Sequence, residues 1–140
     1  MNCISRITQF KKGGEASVIS FDSFLMEAGI PIYLQIILFI KRGMISGQIR
    51  SGDELPSRRT LSALLGVNPN TIQKAYRMLE EEGLLSSHTG AKSFVVLDEA
   101  TLARLRSELL KNDAQTLIDA MKQMGLSKDE ALALIENHWN

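Results

Sequence analysis

Residues 57–85, "SRRTLSALLGVNPNTIQKAYRMLEEEGLL", constrain the fold more than any other stretch of this chain. Helix starts and helix stops alternate along it at short intervals. Ser57 is a side-chain cap for a short helix that Gly66 closes. Asn68 then caps a second helix, and Pro69 stands at its first position, where a missing N–H costs nothing. Ile72, Ala75, Tyr76 and Leu79 recur on one face, the helix runs to about Glu82, and Gly83 stops it. Two helices joined by a turn this tight form a helix-turn-helix.

The flanking segments complete a recognisable order. Pro31 opens a helix, "PIYLQIILFIKRGMIS", that Gly47 ends. It is apolar nearly all round, which calls for burial on two sides: one face in the core, the other in a dimer interface. A two- or three-residue strand is expected at Gln48–Arg50. After Gly83, "LLSSH" and "SFVVL" read as short strands joined by "TGAK". Asp98 caps one long helix or two in tandem, which Gly125 ends. Within it Leu110, Ala114, Leu117, Met121 and Met124 follow a 4-3-4-3 spacing, the seam for a partner helix. Ser127 and Glu130 form a capping box for a last helix. The fold class is mainly α with a small β-hairpin wing: a winged helix-turn-helix followed by a C-terminal helical hairpin. Residues 1–30 are a leader with a short strand or helical turn expected around "VISFDSFLMEAG". Residues 31–97 are the winged helix-turn-helix domain, and residues 98–140 are the helical dimerisation tail.

Composition narrows the partners. The 140 residues have zero formal net charge, but its distribution is uneven. Residues 31–97 hold eight Lys/Arg against five Asp/Glu, whereas residues 98–140 hold five against eight. The basic middle is the part suited to a polyanion. Cys3 is the single cysteine, so an internal disulfide and a Cys-rich metal site are excluded. The first residues contain no apolar run of secretory type, and "IPIYLQIILFI" is about half the roughly 20 residues a transmembrane helix needs. A cytoplasmic location without membrane association is expected. His88 and His138 lie far apart with no clustered acid, and there is no phosphate-binding loop. No catalytic site, metal or cofactor is expected.

The second helix of the motif begins with Asn-Pro-Asn-Thr, which suits a reading head. Asn pairs with adenine N6 and N7, while Thr bonds an edge or lays its methyl on thymine. Asn68, Asn70 and Thr71 stand at the entering end; Gln73 and Lys74, one turn on, reach for a base and a phosphate. Arg58 and Arg59 occupy the first turn of the preceding helix, where cations oppose the dipole. A DNA phosphate or guanine edge gives that placement a reason.

These linked motifs resemble one family. Pro-Ile-Tyr, Ser-Gly-x-Ile, Gly-Asp-x-Leu-Pro-Ser, Leu-Gly-Val and Leu-Glu-x-Glu-Gly-Leu, over residues 31–97, resemble the DNA-binding domain of GntR-type bacterial transcription regulators. The "VNPNTIQKAYRMLE" variant and short tail are similar to the YtrA-like subfamily. The resemblance implies DNA contacts at Arg59, with Arg58 in a variable slot, and at Asn68, Asn70, Thr71 and Gln73. It implies wing-tip contacts at Thr89 and Gly90. The second glycine of the family's wing is Lys92 here, a candidate phosphate contact. The resemblance further implies a homodimer joined through the tail helices, for which the seam spacing offers Leu110, Leu117, Met121 and Met124, bound to a double-stranded operator with two half-sites. It implies repression of the operon containing its own gene, commonly with an ABC transporter, and indicates no particular small-molecule effector. The rival reading is a winged-helix module that binds protein; such a module would carry apolar residues in place of Asn70 and Gln73.

Overall fold

The computed structural model describes residues 17–88 and 92–140. In chain order the elements are α1 (Ile32–Ser46), β1 (Glu54–Leu55), α2 (Arg58–Leu65), α3 (Pro69–Glu81), β2 (Leu85–His88), β3 (Lys92–Val95), α4 (Glu99–Gln123) and α5 (Lys128–His138). The first compact unit ends at Leu102, and the second runs Ala103–Asn140. The division lies inside α4, a few residues beyond the boundary expected at Asp98.

The core of the first unit is built around α3. Helix α1 buries Ile36, Ile40 and Met44, α2 buries Leu61, and α3 buries Ile72, Ala75, Tyr76 and Leu79. Both α1 and α2 pack against α3, and β2 follows it closely. Glycine makes that last turn possible: Gly83 has φ of +77°, while Gly83 N–H donates to Glu80 O and Leu84 N–H to Leu79 O, both at 2.9 Å. This is the Schellman pattern, in which the left-handed residue lets the chain reverse and satisfy the last carbonyls. The sheet is antiparallel in the order β1-β3-β2, with Leu55 opposite Ser93 and Leu85 opposite Val95.

Two expectations are corrected. The short strand lies at Glu54–Leu55, not Gln48–Arg50. Gly47 and Gly52, with φ of +84° and +92°, bend the intervening segment away from extended backbone. Ile49 N–H turns back to Gly43 O at 2.9 Å, and Arg50 N–H donates to the buried Asp53 carboxylate at 2.8 Å. Neither is free for a ladder. Helix α1 starts at Ile32, with Pro31 as the cap position.

The second face of α1 is covered by the chain's own leader. Phe21, 3% exposed, stacks on Phe39 of α1 with ring centroids 4.9 Å apart, and Phe24 meets the same ring at 5.3 Å. Gln35 pins the turn between leader and helix. Its amide nitrogen donates to the carbonyls of Glu27 (2.9 Å) and Ile30 (2.8 Å), and its amide oxygen accepts from Glu27 N–H (2.8 Å). The leader also joins the sheet: Ile19 N–H donates to Glu54 O (2.8 Å), and Glu54 N–H to Ser17 O (3.0 Å). An apolar helix of this kind therefore reports a covering segment, which here lies within the chain.

Asp98, still within the first unit, caps α4 by accepting from Thr101 N–H at 2.7 Å. The tail's first part is one continuous helix, ended by a Schellman turn at Gly125: Leu126 N–H reaches Met121 O at 3.1 Å, and Gly125 N–H reaches Lys122 O at 3.0 Å. Ser127 then caps α5, its hydroxyl accepting from Glu130 N–H and donating to the Glu130 carboxylate.

The leader's place in the core is measurable. Phe21→Ala should lower unfolding free energy by about 3 kcal/mol, the usual cost of emptying an aromatic site. Val18→Ala, at a side chain 60% exposed, should cost under about 0.5 kcal/mol. Urea unfolding followed by circular dichroism distinguishes them; equal, small effects would show that the leader is not part of the folded core.

Candidate nucleic-acid interface

The turn between α2 and α3 is locked by local bonds. Gly66 adopts φ of +65°, and the buried Ser62 hydroxyl donates to Val67 O at 2.6 Å while Val67 N–H donates to Ser62 O at 3.1 Å. Asn68 Oδ1 then accepts from Asn70 N–H at 2.8 Å, and Pro69 fills the first helical position. Asn68 is thus engaged as a cap. Asn70 is exposed with its side chain uncommitted among the described residues, as are Gln73 and Arg59. Thr71 is half-buried.

Burying Ile72, Ala75, Tyr76 and Leu79 leaves α3 with an opposite face of Asn70, Gln73, Lys74 and Arg77, all exposed. Neither α2 nor α3 has an acidic residue in its first turn. The positive ends of both helix dipoles therefore remain uncompensated by protein carboxylates, a favourable setting for phosphate.

The cations on this side differ in how they are held. Lys74 Nζ sits 4.0 Å from the ring centroid of Tyr33 on α1, and the Arg58 guanidinium carbon sits 5.5 Å from that of Tyr76 on α3. Both are cation–π distances. Arg77 faces Glu81 one turn on at 3.8 Å with both side chains exposed, a pair worth little to stability. Arg59 makes no ion pair among the described residues, and Lys92 is exposed at the start of β3. Burial pushes the Tyr76 hydroxyl well above the usual phenol range, opposed by the neighbouring Arg58 charge, so Tyr76 stays protonated and donates to Pro56 O at 2.7 Å.

The residues singled out from the sequence fall into distinct settings. Asn68, Asn70, Gln73 and Lys74 share the N-terminal part of α3, and Arg58 and Arg59 open α2. Thr89 and Gly90 lie outside the described residues. In the tail, Leu110 and Leu117 are each 48% exposed and Met124 71%, but Met121 is buried. Met121 lies within an apolar groove of about 380 Å3 between α4 and α5, with Leu117, Leu126, Leu132 and Ile135. Tyr33 and Tyr76 are the two residues that sequence reasoning missed as partners of the cations. Nothing local marks them, because Arg58 and Tyr76 meet only through the turn.

Among the described residues no group of His, Cys, Asp and Glu could hold a metal ion, and no helix is long and apolar enough to cross a membrane.

Comparison with known proteins agrees with this geometry. Residues 32–95 match the family described as bacterial regulatory proteins, gntR family. The HTH-type transcriptional regulator YhcF of Bacillus subtilis is 33% identical over 102 residues, covering 73% of this chain and 84% of that protein. The HTH-type transcriptional repressor YtrA of the same organism is 36% identical over 89 residues, covering 63% of this chain and 68% of YtrA. A GntR family transcriptional regulator from Listeria monocytogenes superimposes with a TM-score of 0.72 at 30% identity, covering 80% of this chain and 98% of the other. These relatives are regulators and not enzymes. The chain belongs to the GntR family of bacterial transcription regulators, as a YtrA-like member with a DNA-binding winged helix-turn-helix.

Proposed function

We propose that this regulator is a dimeric repressor that reads an operator through the start of α3. The observation that carries the reading is the two-faced character of that helix. Its buried face fixes it on α1 and α2, so the polar face of Asn70, Gln73 and Lys74 is presented outward from a start that holds no negative charge. Arg58, Arg59 and Lys92 supply phosphate contacts around it, Thr71 and Asn68 contribute at the helix start, and the family resemblance adds contacts by Thr89 and Gly90. Repression is supported by the likeness to YtrA, whose name describes a repressor. The family resemblance extends the proposal to the operon containing its own gene, with an ABC transporter among its products.

Residues 98–140 serve as the dimerisation tail in this reading. Leu110, Leu117 and Met124 leave apolar surface open on α4, and Leu132 and Trp139 do so towards the C-terminus. Exposed apolar side chains recurring along one helix are the usual mark of a protein interface. A two-fold dimer would place two reading helices on half-sites about one helical turn, or a multiple of one, apart.

Substitution at neighbouring asparagines separates reading from capping. Asn70→Ala should cost about 1–3 kcal/mol of discrimination at one base pair per half-site, most simply an A·T pair, with little change in melting. Asn68→Ala should cost about 1 kcal/mol of folding stability through the lost cap. Thermal melting beside binding to a panel of operator variants measures both. Early melting of Asn70→Ala with full base preference would refute the reading head.

The dimer has its own test. Leu110→Glu with Leu117→Glu should convert the protein to monomers in sedimentation at micromolar concentration and weaken operator binding steeply. Met121 is unsuitable for this purpose, since a charge there would enter a buried position. A wild type that sediments as a monomer would contradict the proposal.

A further inference from the structure

Arg58 stands in an electrostatically poor place. It is the first residue of α2, where the helix dipole opposes a cation, and no acidic residue lies in that turn. Its Nε is buried and has no hydrogen-bond partner among the described residues. A buried N–H without a partner is uncommon in a native fold and calls for a cause. The two terminal nitrogens of Arg58 have no protein partner among the described residues either, yet they are not buried. The side chain is therefore held along its length and open at its tip.

Tyr76 is what holds it. The ring is 1% exposed, and its centroid lies 5.5 Å from the guanidinium carbon. The ring is fixed at both ends. Its backbone belongs to α3, and its hydroxyl donates to the carbonyl of Pro56, which immediately precedes the α2 cap. Tyr76 thus spans from the reading helix to the chain entering the helix before it. A guanidinium held over an aromatic ring by a cation–π contact is restrained before it meets a ligand, and less freedom is lost when a further contact forms.

We propose that Tyr76 is a positioning residue for DNA binding: its ring holds Arg58 so that the two terminal nitrogens meet a backbone phosphate beside the groove that α3 enters. The inference rests on the proposed operator-binding function. It assigns Arg58 the role of a preset clamp, in contrast to the uncommitted Arg59.

The test is a double-mutant cycle on the full chain. The probe is a DNA duplex selected from a random pool on the wild-type protein. Tyr76→Phe keeps the ring and should bind within about twofold of wild type, although it loses the bond to Pro56 O. Tyr76→Leu removes the ring and should weaken binding about tenfold. Arg58→Ala should weaken binding at least as much and flatten the slope of log affinity against log salt by about 0.9 per subunit, the contribution of one phosphate. In the Arg58→Ala background, Tyr76→Leu should add less than about a twofold loss, because the side chain through which it acts is gone. Fully additive losses would show Tyr76 to be structural only and overturn the inference. An unchanged salt slope in Arg58→Ala would overturn it as well, whether or not Tyr76→Leu folds. A wild type that selects no duplex would instead refute operator binding itself, and the inference with it.

Discussion

The packing of one face of α3 determines the rest of the structure. Ile72, Ala75, Tyr76 and Leu79 bury that face against α1 and α2, and the α-helical period then turns Asn70, Gln73, Lys74 and Arg77 outward. The same packing places the start of α2 beside α3, so that Arg58 reaches the ring of Tyr76. It also brings α1 within reach of α3 through a cation–π contact between Tyr33 and Lys74 and an ion pair of 2.8 Å between Lys41 and Glu82. A polar face on a rigidly seated helix is pre-organised for recognition, because little ordering remains to be done on binding.

The leader changes how the small domain is understood. Residues 32–95 match the family, yet the folded unit begins earlier. Phe21 and Phe24, which precede that span, form an aromatic cluster with Phe39 inside it, and Asp53 ties Ser17 and Arg50 together beside β1. A unit of this size buries limited surface, so an added aromatic pair is a considerable share of its core. The leader thereby covers the face of α1 that the sequence pattern assigned to a partner subunit. Exposed apolar side chains recur along α4 and towards the C-terminus, at Leu110, Leu117, Met124 and Trp139, while Leu25, Met26 and Ile30 remain exposed on the leader.

Much of the fold was legible because its signals are local. Ser57, Asn68, Asp98 and Ser127 each accept the backbone bond that their position before a helix predicts, and Gly66, Gly83 and Gly125 each close a helix with positive φ. Caps and left-handed glycines act within about five residues, so a short sequence window contains all the physics. The exposed face of α3 was legible for the same reason. The errors arose where partners are distant. β1 sits at Glu54–Leu55 because β3 and the leader offer it bonds from far along the chain. The cation–π contacts of Arg58 with Tyr76 and of Lys74 with Tyr33 also depend on tertiary placement, which no periodicity encodes.

The central claim is that the start of α3 reads base edges in the major groove. Interference by 7-deazaadenine tests it most directly, because it removes the N7 acceptor that Asn pairs with while leaving the duplex otherwise intact. In a duplex selected on the wild-type protein, one adenine per half-site should lose binding when its N7 is removed, and the same substitution should be silent against Asn70→Ala. Wild-type binding that tolerates 7-deazaadenine at every position, or a sensitive adenine that remains sensitive in Asn70→Ala, would contradict the account.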